Sequence, residues 1–288
     1  MRNSSTESVL SAAELPPLTS VRDQVASPLF SVGRMLRIAR RGSLPLGIFL
    51  LVWTAPAFGH RDDYLNETFV FQTIEKGEFE PELWIDAGRG RERSGGFRAY
   101  AAAFEYGITD HWMVDSFAGW IDPIEGSGFL QRIRAETRVR FGEEGDRPVD
   151  VAASFEVEHE REQDVGEEVS RKIPRLRGLW ILTPRLVLSR DLGGWNLTLN
   201  LDAAREFPAG GRDRWTPGYA LGARYPREAF LRYGVELRQD WGSQHTSLLM
   251  PQVWLSLAHE MTVKVGAGAR FEGSPHERFL RIVFEREF

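Results

Sequence analysis

Charged side chains recur at every second position in several segments of this chain. The clearest segment is 129–141, where Arg132, Arg134, Glu136, Arg138 and Arg140 alternate with apolar residues. A period of two is that of a β-strand, so these charges share one face of the strand. The next segment carries Glu156 and Glu158 in the same way, and neighbouring rows of opposite sign would form ion pairs.

Rows of this kind can line an enclosed polar interior. Two uses of such an interior fit the sequence equally well: a charge-lined pathway for a small polar or anionic solute, and a salt-bridge network that fills and stiffens the interior. The residues that we expect to line it are Arg132, Arg134, Glu136, Arg138, Arg140, Glu156, Glu158, Asp202, Arg232, Glu236, Arg238, Lys264, Arg270, Arg281 and Glu285.

Hydrolysis is a second candidate chemistry. His245 and Ser247 have the two-residue spacing that some outer-membrane lipid hydrolases use on one strand face. However, no Asn follows Asn200 that could orient the histidine, and Leu248 and Leu249 replace the glycine that usually follows the serine. We therefore expect no catalytic residue. The six histidines lack ligand spacing and cysteine is absent, so we expect neither a metal site nor a cofactor.

Turn signals divide the chain after residue 76 into twelve predicted strands. Their connections alternate between tight turns and longer loops that are richer in glycine and charge. Short turns face the periplasm in outer-membrane barrels, and an even strand number returns the carboxyl terminus to that side. The predicted strands span 77–89, 97–109, 112–122, 128–142, 148–161, 175–191, 194–207, 216–226, 229–242, 247–260, 261–273 and 277–288.

The apolar face of these strands indicates a lipid solvent. Each arginine placed against lipid near the bilayer midplane would cost about 2 to 4 kcal/mol, so the charged face must be the interior. Aromatic residues near both ends of the strands are typical of interfacial girdles. Those near periplasmic ends are Trp112, Trp195 and Tyr225, and those near outer ends are Trp120, Trp215 and Trp241.

The final strand ends in an aromatic residue, as is typical of outer-membrane barrels. Phe284 and Phe288 lie on its apolar side, and Arg286 interrupts that side. We expect Phe284 and Phe288 to be the signal that the barrel-assembly machinery recognises. Outer-membrane lipid and lipopolysaccharide are the other expected partners. The formal net charge of -5 lacks a basic footprint for nucleic acid.

The first part of the chain resembles a secretory signal. Arg37, Arg40 and Arg41 precede an apolar stretch at 44–53 and small residues at 55–59. We expect 1–34 to be a disordered or wrongly assigned extension, 35–59 a cleaved signal peptide, 60–76 a periplasmic segment and 77–288 the barrel. The segment 60–76 would cover the periplasmic mouth of the barrel or pair with a strand edge.

Three stretches carry a family resemblance: 64–70, 77–84 and 106–112, the last reading Tyr-Gly-Ile-Thr-Asp-His-Trp. They resemble outer-membrane channel proteins related to the meta-pathway phenol-degradation type, in which a hairpin reading roughly Tyr-Gly-(Leu/Ile)-Thr-Asp follows the first strand. The resemblance implies a barrel that passes small hydrophobic or aromatic solutes and has no catalytic residues. The ionic interior expected here departs from what such solutes favour.

The sequence thus predicts an all-β protein, a single transmembrane antiparallel barrel of twelve strands in the outer membrane of a Gram-negative cell. The expected function is that of a passive channel or transporter for a small solute. Two alternatives stay open: a non-conducting structural barrel with a salt-bridged interior, and a lipid-modifying hydrolase.

Overall fold

A computed structural model shows a closed barrel of twelve antiparallel strands, as predicted. It describes residues 63–66, 68–90, 93–124, 127–163, 176–209, 211–242, 245–257, 260–272 and 274–288. The predicted extension and signal peptide lie outside the described residues. The strands are β1 (Phe79–Gly90), β2 (Arg93–Thr109), β3 (Trp112–Pro123), β4 (Phe129–Arg140), β5 (Asp150–Gln163), β6 (Leu176–Leu192), β7 (Trp195–Pro208), β8 (Arg214–Tyr225), β9 (Leu231–Trp241), β10 (His245–Ser256), β11 (Met261–Glu272) and β12 (Ser274–Arg286).

The strands carry their apolar side chains outside and their charges inside. In β4, Ile133 and Val139 are exposed, whereas Arg134, Glu136 and Arg138 are buried. A soluble sheet has the reverse arrangement, with its apolar side chains buried and its charged side chains exposed to water. The arrangement fits a barrel whose outer wall contacts lipid. In the described part of the chain, no helix is long and apolar enough to cross a membrane.

The predicted aromatic girdles are present on the outer wall. All six residues have more than 40 % of their surface exposed, which is unusual for such large rings in a water-soluble fold. At the periplasmic ends, the rings of Trp195 and Tyr225 lie 4.9 Å apart, centroid to centroid. The six residues are Trp112, Trp195 and Tyr225 at one end and Trp120, Trp215 and Trp241 at the other.

Pairing of β1 with β12 closes the barrel. The register runs from Glu82 opposite Glu285 to Gly90 opposite Glu277. Beyond β12, the backbone of Phe288 exchanges two hydrogen bonds with Phe79 (3.0 and 3.1 Å), and the two rings stack at 5.0 Å. The terminal aromatic residue therefore fastens the seam at the periplasmic rim. Its recognition by the assembly machinery stays a prediction.

A cluster of carboxyl groups lies beside this seam. Glu287 is buried just beyond the end of β12. Burial raises its pKa to about 8, and a hydrogen bond to Glu78 and the negative charges of Glu78, Glu260 and Glu285 act in the same direction. The Glu287 carboxyl therefore keeps its proton at neutral pH.

This raised pKa predicts a pH-dependent seam. The folded state binds the proton more tightly than the unfolded chain, so the stability that Glu287 contributes is complete below its ordinary pKa of 4.5 and is lost as pH rises through about 8. Urea unfolding in lipid vesicles should show a weaker barrel at pH 9 than at pH 6, and Glu287→Gln should reduce that difference. Glu228→Gln, in an exposed turn, is the control. An unchanged pH dependence in Glu287→Gln would contradict this assignment.

Candidate functional site in the barrel lumen

The predicted lining residues all lie on the inward-facing rows of the strands. Most of them are buried, and only Arg132, Arg140, Arg238, Arg270 and Arg281 keep part of their surface exposed. In the structure, they form ion pairs and hydrogen bonds with one another, with additional charged residues and with a segment of chain that precedes β1. Their role in a pathway stays a prediction.

A network of ion pairs covers the wall from β3 to β7. The Arg134 guanidinium lies 2.7 Å from Asp115 on β3 and 4.0 Å from Glu156 on β5. Arg185 on β6 lies 3.5 to 3.6 Å from the carboxylate oxygens of three residues, which are Glu136, Glu156 and Asp202. The predicted ion pairs between the charged rows of β4 and β5 are therefore one part of a wider network. Shared partners on both sides limit the cost of burying these charges.

Residues 63–66 and 68–76 are here called the lumen segment, and its described residues up to Phe71 lie inside the barrel. The expectation was that 60–76 covers the periplasmic mouth or pairs with a strand edge. In the structure, Thr73 and Lys76 contact Asp110 at the rim, and the described residues before them run inward. At the periplasmic rim, Thr73 Oγ1 donates to the Asp110 carbonyl, and from there the segment enters the lumen. Its apolar side chains are at most 2 % exposed at Tyr64, Leu65, Phe69, Val70, Phe71 and Ile74. Burial of these side chains is the physical reason for the inward course.

One carboxylate holds the backbone of the segment. Glu236 on β9 accepts hydrogen bonds from the backbone N–H of Asn66 (2.7 Å), the backbone N–H of Thr68 (3.0 Å) and the Thr68 hydroxyl. The Asn200 side chain on β7 accepts from Phe69 N–H (2.7 Å) and donates to Phe69 C=O (2.9 Å). These contacts satisfy backbone groups that have no strand partner.

Three cationic side chains hold the segment from other directions. The Arg138 guanidinium makes a two-pronged pair with the Asp63 carboxylate, at 2.9 and 3.1 Å. Lys264 donates to the Asp63 carbonyl at 3.0 Å, and Arg281 donates to the Leu65 carbonyl at 2.7 Å. Predicted lining residues thus bind the lumen segment. The two parallel hydrogen bonds between the Arg138 guanidinium and the Asp63 carboxylate are of a strong, charge-assisted kind.

The opposite wall of the lumen is apolar, which the sequence-based expectation of an ionic interior did not include. Inward-facing residues of β1, β2, β3, β10 and β12 form one cluster with Leu65 of the lumen segment. Trp84 packs edge-on against Phe117, with ring centroids 5.7 Å apart. The cluster comprises Leu65, Trp84, Phe97, Ala101, Ala103, Phe117, Ile121, Leu248, Met250, Phe279 and Val283. The sequence did indicate one residue of this wall, because Trp84 lies at the same strand phase as the inward-facing Glu80 and Glu82.

Little free space remains where the segment meets the two walls. The cavity there has a volume of about 20 Å³, room for about one water molecule. Its lining joins the segment to both walls and comprises Asp63, Tyr64, Leu65, Phe69, Glu82, Trp84, Glu105, Arg134, Lys264 and Val283. The segment and the two walls are therefore in close contact around this cavity.

A group of three buried carboxylates lies near the base of the apolar wall. Glu80, Glu82 and Glu285 each place an oxygen within 4.8 Å of the others, a geometry that could hold a metal ion. Lys264 already places its ammonium group 2.5 Å from Glu285, and the Trp84 indole donates to Glu82 at 2.7 Å. The chain's own cation therefore supplies positive charge at this position.

The hydrolase candidate lies on the outer wall. His245 and Ser247 are the first and third residues of strand β10. Ser247 stands out of phase with the inward-facing Leu248, and its hydroxyl donates to the Gln239 side-chain oxygen at 2.5 Å. His245 lies opposite Trp241 in the strand register. The serine hydroxyl is therefore directed at an amide oxygen, which does not act as a general base.

The contacts of Glu236 generate a prediction. Hydrogen bonds to a charged group contribute about 1.5 to 3 kcal/mol each, so Glu236→Ala should release the lumen segment. Because the chain has no cysteine, a spin label on Asn66→Cys reports this segment alone. The label should be immobile in the parent and mobile after Glu236→Ala, and Glu158→Ala should leave it immobile. An immobile label in all three proteins would show that Glu236 does not hold the segment.

Comparisons with known proteins establish the fold. No family model matches the sequence, and no curated protein matches it. Among solved structures, an outer-membrane channel from Pseudomonas putida F1 is similar, with 12 % identity, 76 % of this chain and 98 % of that chain covered, and a TM-score of 0.52. The KdgM porin in complex with disordered oligogalacturonate is similar with 10 % identity, 73 % and 99 % coverage, and a TM-score of 0.50. The chain thus has the fold of twelve-stranded outer-membrane barrels.

Proposed function

We propose that this barrel is a passive channel for small solutes across the outer membrane, opened and closed by its lumen segment. The observation that carries the proposal is how the segment is held. Between Asp63 and Phe69, most of the polar contacts that join its described residues to the wall are made by wall side chains, namely those of Glu236, Asn200, Thr198, Gln252, Asn196, Arg138, Lys264 and Arg281. A segment held in this way can leave without breaking any hydrogen bond between strands.

The two walls of the lumen indicate the kind of solute. On one side are the ion pairs around Arg134 and Arg185, and on the other is the aromatic cluster around Trp84 and Phe117. A solute with a flat apolar body and one polar group could contact both walls. Small hydrophobic or aromatic solutes of the phenol type, which the family resemblance implies, meet this description. We therefore include them in the proposal as the substrate class.

Removing part of the lumen segment tests the channel. Deletion of residues 63–71 vacates the lumen, so single-channel conductance in a planar bilayer should rise several-fold above that of the parent. The ladder from β1 to β12 is untouched by this deletion, so unheated samples should still migrate as folded barrels on a gel. Absence of current in both proteins, together with absence of solute uptake, would favour a non-conducting structural barrel.

Aromatic contacts test the substrate class. In the deletion variant, p-nitrophenol should interrupt the current as it passes the apolar wall. Stacking on an aromatic ring contributes about 0.5 to 1.5 kcal/mol, so Trp84→Ser should weaken this block by up to about tenfold. Trp120→Ser is the matched control, because Trp120 lies on the outer wall and is 46 % exposed. Equal block in the two variants would exclude the apolar wall as the binding surface.

A further inference from the structure

Arg190 stands on the lipid-facing side of β6. Its neighbours Arg185, Val187 and Ser189 are buried in the lumen, and Leu186 is exposed outside in phase with Arg190. The Arg190 guanidinium donates to the Arg147 carbonyl at 2.9 Å. Among the described residues, no carboxylate lies within ion-pair distance of it. A cation on the lipid-facing side that lacks a counter-ion in the described chain calls for an anion from outside.

A groove begins beside this residue. The strand registers place Arg190, Leu197, Ala223 and Val235 side by side on β6 to β9. Ala223 has only a methyl group where its neighbours have larger side chains, and it is part of the lining of a groove with a volume of about 390 Å³. Most of its lining is apolar, and it includes Val149, Leu188, Leu197, Leu199, Leu221, Ala223, Val235 and Leu237 together with Arg190.

The position of the groove along the strands matches one leaflet of the membrane. The next row toward the periplasm pairs Leu192 with Trp195 and Tyr225 with Tyr233. All four side chains are exposed, and Trp195 and Tyr225 belong to the periplasmic girdle. Aromatic girdles mark the boundary between headgroups and acyl chains. Arg190 and the groove therefore lie just inside the boundary of the periplasmic leaflet, where glycerophosphate groups meet their acyl chains.

We propose that this groove binds one acyl chain of a phospholipid from the periplasmic leaflet, with the lipid phosphate paired to Arg190. The apolar lining matches an acyl chain, and the guanidinium supplies a planar donor pair that fits a phosphate. The site lies on the opposite face of the barrel wall from the lumen and does not depend on the proposed channel function.

Native mass spectrometry of the full, folded barrel in mild detergent tests the site. The protein is titrated with phosphatidylglycerol and, separately, with dioleoylglycerol, which lacks the phosphate. The parent should bind phosphatidylglycerol at least tenfold more tightly than dioleoylglycerol. Arg190→Gln should remove this preference, and Ala223→Leu, which fills the groove, should weaken binding of both lipids about tenfold. Ala135→Leu, on the lipid-facing side of β4, should change neither.

Other results would overturn the proposal. Equal binding of both lipids by the parent would exclude the phosphate contact, and equal binding by the parent and Ala223→Leu would exclude the groove. A parent dimer that Ala223→Leu converts to a monomer would show that a second copy of the chain occupies the groove. Migration of unheated samples confirms that each variant is folded, and Arg190→Met, which also removes the charge, replaces any Arg190→Gln protein that fails to fold.

Discussion

The structure depends on the need to pair every inward-facing charge inside a narrow closed barrel. Lipid on the outside excludes charge from the outer wall, so arginines and carboxylates accumulate in the lumen. There, each must find a partner or pay the cost of desolvation. Arg185 between three carboxylates and Arg134 against Asp115 show how neighbouring strands meet this need. The even strand number, the tight periplasmic turns and the seam at Phe288 all serve to close the wall around this interior.

The lumen segment completes that interior. It supplies a carboxylate to Arg138, carbonyl oxygens to Lys264 and Arg281, and N–H donors to Glu236. Its apolar side chains at the same time reach the aromatic wall through Leu65. The segment thus satisfies polar groups on one side and covers apolar surface on the other. Because the wall holds it chiefly through side chains, these contacts can be exchanged for water and solute.

Much of the fold could be predicted because strand periodicity is a local signal. The third strand was predicted at 112–122 and is observed at Trp112–Pro123. The tenth was predicted at 247–260 but spans His245–Ser256, and just beyond it the Leu257 N–H donates a hydrogen bond to the Met261 carbonyl. The lumen segment could not be placed in this way. It has no periodicity, and its contact from Asn66 to Glu236 joins residues 170 positions apart. Strand phase would have placed the apolar wall in the interior, but the expectation was based on the charged rows alone.

A reversible tether between the lumen segment and the wall tests the account most directly. A Cβ atom added at Gly266 would touch the Leu65 side chain, with 2.6 Å to Leu65 Cδ1, so we choose these two positions for a pair of cysteines. A free-thiol assay shows whether the disulfide has formed, and no native cysteine competes. The account predicts that the oxidised Leu65→Cys/Gly266→Cys barrel carries no current in a planar bilayer at any voltage and that reduction restores the openings of the single variants. Equal conductance in the oxidised and reduced forms would contradict it.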